Sequence, residues 1–206
     1  KILSISAHVK DDLVKYLGFK SSDVINISGA NISSINKGDV IDRDPTSEPY
    51  ILLPGGDMPH KNMLRAVYAF SIFKARHKTP HKLLITSFYS DENMSTMRSM
   101  SSHIEFTGQV SDEELGRLYK NCDVVLFPSI DEGLGLPILE AVDFNKKVAL
   151  KGAHYWSKYG GNFARFIDQI DGQAEFIELG KTAKQHMQEA YTWEKIAREY
   201  EELFLR

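Results

Sequence analysis

After Pro49 the chain follows a rhythm that few folds can use: short apolar runs alternate with stripes of helical period. Tyr50 to Leu53 is an apolar run closed by Pro54-Gly55-Gly56, and Met63, Ala66, Val67, Phe70 and Phe73 then fall on one helical face. Leu83 to Thr86 and Ile104 to Thr107 read as further strands. Ser111-Asp112-Glu113-Glu114 is a capping box opening a helix that turns Leu115, Leu118 and Tyr119 inward. Asp123 to Phe127 (DVVLF) is a continuous apolar strand of the kind buried on both faces. Pro137 suits the first turn of the next helix, and Val148 to Leu150 is one more strand. This alternation predicts an α/β protein with a parallel, doubly wound sheet flanked by helices.

The flanks read differently. Ile2 to Ile5 alternates apolar with serine, Val9, Leu13 and Leu17 share a helical face ending at Gly18, and Val24 to Ile27 is a second strand. Residues 31–49 are polar, with Gly38, Pro45 and Pro49, and mark a boundary that divides the chain into 1–45 and 46–206. Ala174 to Ala190 reads as helix. Thr192 caps a final helix carrying Trp193, Ile196, Tyr200 and Phe204, with Trp193 expected in the core. Segments 90–103 and 152–173 have little periodicity.

Composition excludes several classes of function. With 25 Lys and Arg against 28 Asp and Glu, the net charge of -3 argues against a general nucleic-acid binder. A single cysteine, Cys122, rules out an internal disulfide framework and reads as a small core residue. No run approaches the ~18 apolar residues of a membrane span. The start at Lys1 is too short and polar for a signal peptide and begins inside a strand, as a piece of a longer protein would.

In open α/β sheets, ligands bind beyond the carboxyl ends of the strands. That rule selects the loops 54–60, 87–93, 108–111 and 129–136. The last is the richest: Phe127-Pro128-Ser129-Ile130-Asp131-Glu132-Gly133-Leu134-Gly135-Leu136-Pro137-Ile138-Leu139-Glu140. Its glycines let backbone N–H groups approach an anion, and the helix N-terminus adds roughly +0.5 of an elementary charge. Helical side chains lean toward the N-terminus, so Glu140 is expected to point back at the ligand that Glu132 flanks, a carboxylate being a good acceptor for two vicinal hydroxyls.

These residues resemble the retaining GT-B-fold glycosyltransferases of family 4. The hallmark of that family is two glutamates with seven residues between them, in a pattern like E-G-x-G-L-P-x-x-E, matched from Glu132 to Glu140. Ile104 to Leu115, Leu118 to Asp123, Tyr191 to Lys195 and Ile5 to Leu13 resemble other segments of the family, so the likeness covers nearly the whole chain. It implies a Rossmann-like carboxyl-terminal half that binds a nucleotide diphosphate-sugar donor, with 1–45 as the tail of an acceptor-binding domain. Glu140 would hold the donor ribose. Backbone amides at Gly133, Leu134, Gly135 and Leu136 would contact phosphate and sugar. Glu132 would be the catalytic residue, touching the donor sugar and supporting the charge at its anomeric carbon, and Gly108, Gln109 and Val110 would hold the base. The resemblance implies no metal or other cofactor, a glycan or lipid-linked acceptor and no nucleic-acid partner. It also implies a cytoplasmic location, peripheral to the inner membrane face, and an isolated chain that binds donor without turnover.

The second candidate segment is Gly55-Gly56-Asp57-Met58-Pro59-His60-Lys61-Asn62, which is not a Walker A loop because no Gly-Lys-Ser/Thr follows. In the resembled family this region supplies an Arg and a Lys to the diphosphate. Lys61-Asn62 matches, whereas Gly56 stands at the usual Arg position and His60 at the alternative one. That departure sustains one rival reading, a catalytically inactive nucleotide-sugar-binding or docking module. A second rival is a GT-B-fold nucleotide-sugar epimerase. His8, His77, His81, His103, His154 and His186 lack ligand spacing and receive no role.

Overall fold

A computed structural model describes residues 1–29, 42, 47–144, 146–150 and 192–205. Two sheets organise them. The smaller pairs β1 (Ile2–Ser4) with β2 (Val24–Asn26) in parallel, joined through α1 (Ala7–Leu17). Ser6 caps α1 by accepting from the Val9 N–H, and Gly18 ends it at φ 71, the left-handed conformation that costs glycine least.

The larger sheet contains β3 (Tyr50–Leu53), β4 (Lys82–Thr86), β5 (Ile104–Gly108), β6 (Val124–Phe127) and β7 (Lys147–Leu150), all parallel, in the order β5-β4-β3-β6-β7. The connecting helices are α2 (Met63–His77), α3 (Asp91–Met100), α4 (Asp112–Asn121) and α5 (Leu136–Asp143). Successive residues of a strand face opposite sides, and each side is covered. Tyr50 and Leu52 join Leu118, Tyr119, Ile138 and Val142 on the α4/α5 side, while Ile51 and Leu53 join Val67, Phe70 and Met97 on the α2/α3 side. Every residue of β3 is buried, as the continuous apolar run requires. At ~1.5–3 kcal/mol per fully buried large apolar side chain, this double core is the main stabilising term of the domain.

The order of the strands fixes where a ligand goes. The chain runs outward from β3 through β4 to β5, then returns to place β6 on the other edge of β3. Between β3 and β6 the winding reverses, the point at which a doubly wound sheet places its ligand crevice.

Two details depart from the sequence reading. The stretch 90–103 contains α3, whose N-cap Ser90 accepts from the Asn93 N–H. Its inward residues are methionines such as Met97 set among Ser, Thr and Asn, which blurs the helical stripe. Trp193 is 45% exposed rather than in the core: it stands at the first position of α6 (Trp193–Phe204), and the helix is anchored one turn further on by buried Ile196. Ile196 packs on Ile27, so this last helix returns to the amino-terminal unit. The segment 152–173, the helix expected over 174–190 and most of the polar stretch 31–49 lie outside the described residues. Among the described residues no helix is long and apolar enough to cross a membrane.

Candidate active site

The loops after β3 and β6 are bolted together across the crevice. The loop after β3 makes a short 3-10 turn at Pro59–Lys61, and Asn62 then takes φ 57, a left-handed geometry that asparagine tolerates, to enter α2. Three bonds cross from this turn to the loop after β6. The Ile130 N–H donates to the His60 carbonyl at 2.8 Å, Asn62 Nδ2 donates to the Pro128 carbonyl at 3.1 Å, and Lys61 Nζ donates to Glu132 Oε1 at 2.6 Å. The side chains of Lys61 and Glu132 keep only 21% and 13% of their surface in water, so the attraction is weakly screened.

Beyond Glu132 the chain carries little side chain at the site. Gly133 is exposed, Leu134 turns its side chain into the core beside Phe127 and Ile138, and Gly135 at φ 79 is the N-cap of α5. Leu136 is exposed and Pro137 lies in the first turn. Pro137 has no N–H and the Ile138 N–H is spent on the Gly135 carbonyl, so the donor capacity of this helix end lies upstream of Pro137.

Glu140 sits one turn into α5, half-buried. The Tyr119 hydroxyl donates to Glu140 Oε2 at 2.5 Å, and the Tyr119 ring stacks on Phe144. Burial pushes the Glu140 carboxyl above the ordinary carboxylate range; the Tyr119 bond works against that rise, and Asp112 and Asp143 add to it. Burial, then the Glu140 charge, raises the Tyr119 phenol well above its usual value. Glu132 and Glu140 are therefore held by separate partners, one reaching toward α2 and the other toward α4.

The remaining sequence candidates line the β5 side. Gly55 has φ 152, and its carbonyl accepts from the Tyr89 hydroxyl at 3.2 Å. A Cβ on Gly56 would meet only Ser87 Oγ, at 3.6 Å. Gly108 has φ 70, and its carbonyl accepts from the Ser87 N–H at 2.8 Å. Gln109 is exposed, whereas Val110 packs partly against the α4/α5 core. Sequence reasoning missed three features. Tyr119 is the partner of Glu140 as well as a core residue. Asp57 ties this loop to α3 by accepting from the Ser90 N–H and Asn93 Nδ2 at 2.9 and 2.6 Å. His8, given no role, lies 2.8 Å from Asp131 in the glutamate loop. A signal existed only for His8, whose Asp12 neighbour is one helical turn away.

This architecture places a cation, two acids and a bare helix entry at the switch point of a doubly wound sheet, the requirements for holding an oxygen-rich anion beside a sugar. Residues 39–150 match the family model described as "Glycosyl transferases group 1". The chain belongs to the group 1 glycosyl transferases. It is 29% identical over 175 residues to the O-antigen chain mannosyltransferase RfbU of Salmonella typhimurium, a match covering 82% of this chain and 47% of that protein. It is 26% identical over 156 residues to the serotype-specific mannosyltransferase WbdA of Escherichia coli, covering 68% of this chain and 19% of that protein. The chain thus spans about half or less of the length of these curated relatives.

Proteins of known structure share the fold. A glycosyltransferase from Rickettsia africae superposes with a TM-score of 0.76 at 18% identity, over 99% of this chain and 62% of that one. Anabaena Alr3699/HepE, solved with UDP and glucose, gives 0.64 at 12% identity, over 98% of this chain and 62% of that one. The parallel sheet and its flanking helices are those of a GT-B glycosyltransferase.

Proposed function

We propose that the chain is the donor-binding half of a retaining hexosyltransferase, taking a sugar from a nucleoside diphosphate carrier and passing it to a glycan or lipid-linked acceptor. The acceptor site would belong to a further domain, of which residues 1–45 are the tail, working at the cytoplasmic face of a membrane. The two named relatives are mannosyltransferases, which favours mannose as the sugar.

The observation that carries the reading is the Lys61–Glu132 pair across the crevice between β3 and β6. Without donor, Lys61 neutralises Glu132. An arriving diphosphate offers Lys61 a richer set of oxygens, joined by the backbone donors ahead of Pro137, and frees Glu132 to face the sugar. As the bond from the anomeric carbon to the phosphate oxygen breaks, Lys61 and the α5 N-terminus stabilise the leaving diphosphate. Glu132 stabilises the positive charge on the sugar, and the acceptor hydroxyl adds on the face that the phosphate leaves, its proton passing to a phosphate oxygen. Glu140 meets the ribose hydroxyls, with Tyr119 fixing its rotamer. Gly108 to Val110 hold the base. The reading calls for no metal.

Calorimetry with UDP, GDP, UDP-glucose and GDP-mannose tests it. One nucleotide is expected to bind in the micromolar range and to lose at least tenfold on Glu140→Ala. If no nucleotide binds, the inactive docking module is the better account. Release of a free or rearranged sugar nucleotide with no acceptor present favours the epimerase.

A further inference from the structure

One polar contact and two close approaches join the amino-terminal unit to the loop that carries Glu132. His8 Nε2, on the first turn of α1, lies 2.8 Å from Asp131 Oδ1. A Cβ placed on Gly133 would lie 3.6 Å from Ile5 Cγ2, and one placed on Gly29 would lie 3.0 Å from Leu134 Cδ2. The glutamate loop therefore touches the start of α1 and lies close to Ile5, just after β1, and to the segment after β2. Neither Gly133 nor Gly29 has a side chain to soften the approach.

The polar contact leads directly to the acid. Asp131 Oδ1 also accepts the Glu132 N–H, at 3.0 Å. One carboxylate oxygen thereby links the His8 ring to the backbone of Glu132. His8 is mostly covered, while Asp131 is mostly exposed and without His8 would be free to choose another rotamer. Asp12 lies 3.5 Å from the same Nε2, so two carboxylates approach one ring nitrogen, and Nε2–H can donate to the nearer, Asp131, in the neutral as well as the charged form.

We propose that His8 is a positioning residue for Glu132, acting through Asp131, so that the placement of the amino-terminal unit sets the orientation of the acid at the donor sugar. The inference rests on the reading of Glu132 given above. It adds that the donor loop is completed by a side chain from outside the five-stranded domain. The pair is partly solvated, so its effect is of the size usual for such contacts, about threefold in an equilibrium constant.

The test uses the natural full-length protein with His8→Ala, Asp131→Ala, Asp131→Asn and the double alanine variant, and with Glu132→Gln as reference. Two quantities are read: hydrogen exchange at the Glu132 amide, and the ratio of affinities for GDP-mannose over GDP and UDP-glucose over UDP. His8→Ala and Asp131→Ala are expected to speed exchange and lower the ratio about threefold, with affinity for the bare diphosphate unchanged. The double variant should lose no more than either single one, and Asp131→Asn, which keeps the acceptor oxygen, should retain most of the ratio. Unchanged exchange in His8→Ala overturns the proposal, as does a lower melting temperature with an unchanged ratio. A ratio insensitive to Glu132→Gln overturns the reading of Glu132, and the proposal with it. The ligand atoms of His8, Asp12 and Asp131 lie within 4.8 Å of one another. A wild-type ratio that collapses in EDTA and returns with Mn2+ or Zn2+ would therefore also overturn it, making these residues metal ligands.

Discussion

Lys61 Nζ lies 2.6 Å from Glu132 Oε1, and the two residues come from loops on opposite sides of the crevice between β3 and β6. Removing one partner leaves the other as a poorly solvated charge. Loss of one member of a fully buried pair costs ~3–5 kcal/mol, and the residual solvent access here reduces that to about 2 kcal/mol. Lys61→Met is expected to destabilise by this amount, and Lys61→Met with Glu132→Gln to recover most of it. Urea unfolding of the two single variants and the double variant forms the cycle that checks it. Additive losses would mean that the pair is not coupled.

Glu140 gives stability a pH dependence of known sign. Burial raises its carboxyl above the ordinary value of 4.5. The folded state therefore binds a proton more tightly than the unfolded one, and the resulting stabilisation is full below pH 4.5 and lost as pH rises through the folded value. Glu140→Gln, which keeps an acceptor for Tyr119, escapes that loss. Its stability relative to wild type is expected to grow from pH 4 upward and then level off, read by urea unfolding at each pH. A difference that stays flat with pH removes the argument. Tyr119→Phe deletes the bond that opposes the rise, so it should cost roughly 1.5–3 kcal/mol at neutral pH, the size of a hydrogen bond to a charged group, and move the Glu140 titration further upward.

What was legible from sequence tracks where a single interaction type dominates. The strands β3 and β6 are buried on both faces and so are written as unbroken apolar runs; the capped helix α4 announces itself through Ser111, whose hydroxyl accepts from the Glu114 N–H. The glutamate loop is legible because glycine, proline and acid must fall in fixed frame to leave a helix N-terminus bare. The partners of its acids are not. Tyr119 looks like any core aromatic until the fold brings α4 beside α5, and Lys61 meets Glu132 across 71 positions of chain. Such pairings depend on tertiary geometry, to which no local pattern answers. The same holds for α3, whose polar sequence conceals a helix that buries Met97.

Gly135 and Gly18 separate backbone strain from function. Both hold positive φ, 79 and 71. Alanine is expected to cost about 1–2 kcal/mol at either position, since the left-handed conformation penalises a Cβ. Gly18 has nothing within 4 Å of its Cβ position, so Gly18→Ala should leave nucleotide affinity unchanged. Gly135→Ala distorts the N-cap of α5 and should weaken nucleotide binding several-fold. Thermal unfolding together with calorimetry on both variants checks the contrast. Equal affinity in the two would argue that the α5 entry does not touch the ligand.

Gly56 offers the most direct gain-of-function test. The resembled family places an arginine here, and the local structure accepts one: a Cβ on Gly56 meets nothing closer than Ser87 Oγ at 3.6 Å, and only Gly55 beside it needs positive φ. The side chain would start in the loop after β3, the strand directly beside β6, on the same carboxyl edge as Lys61. A new charge-assisted bond to phosphate is worth ~1.5–3 kcal/mol before the entropy of ordering a long side chain is subtracted. Gly56→Arg is therefore expected to tighten binding of the nucleoside diphosphate about tenfold, and Gly56→Lys by less, because the ammonium cannot make the forked contact. The gain should shrink as salt rises from 50 to 500 mM. Titration calorimetry across that range checks it. An affinity unmoved by the arginine would place the diphosphate away from the loop after β3, and the crevice between β3 and β6 would no longer be its seat.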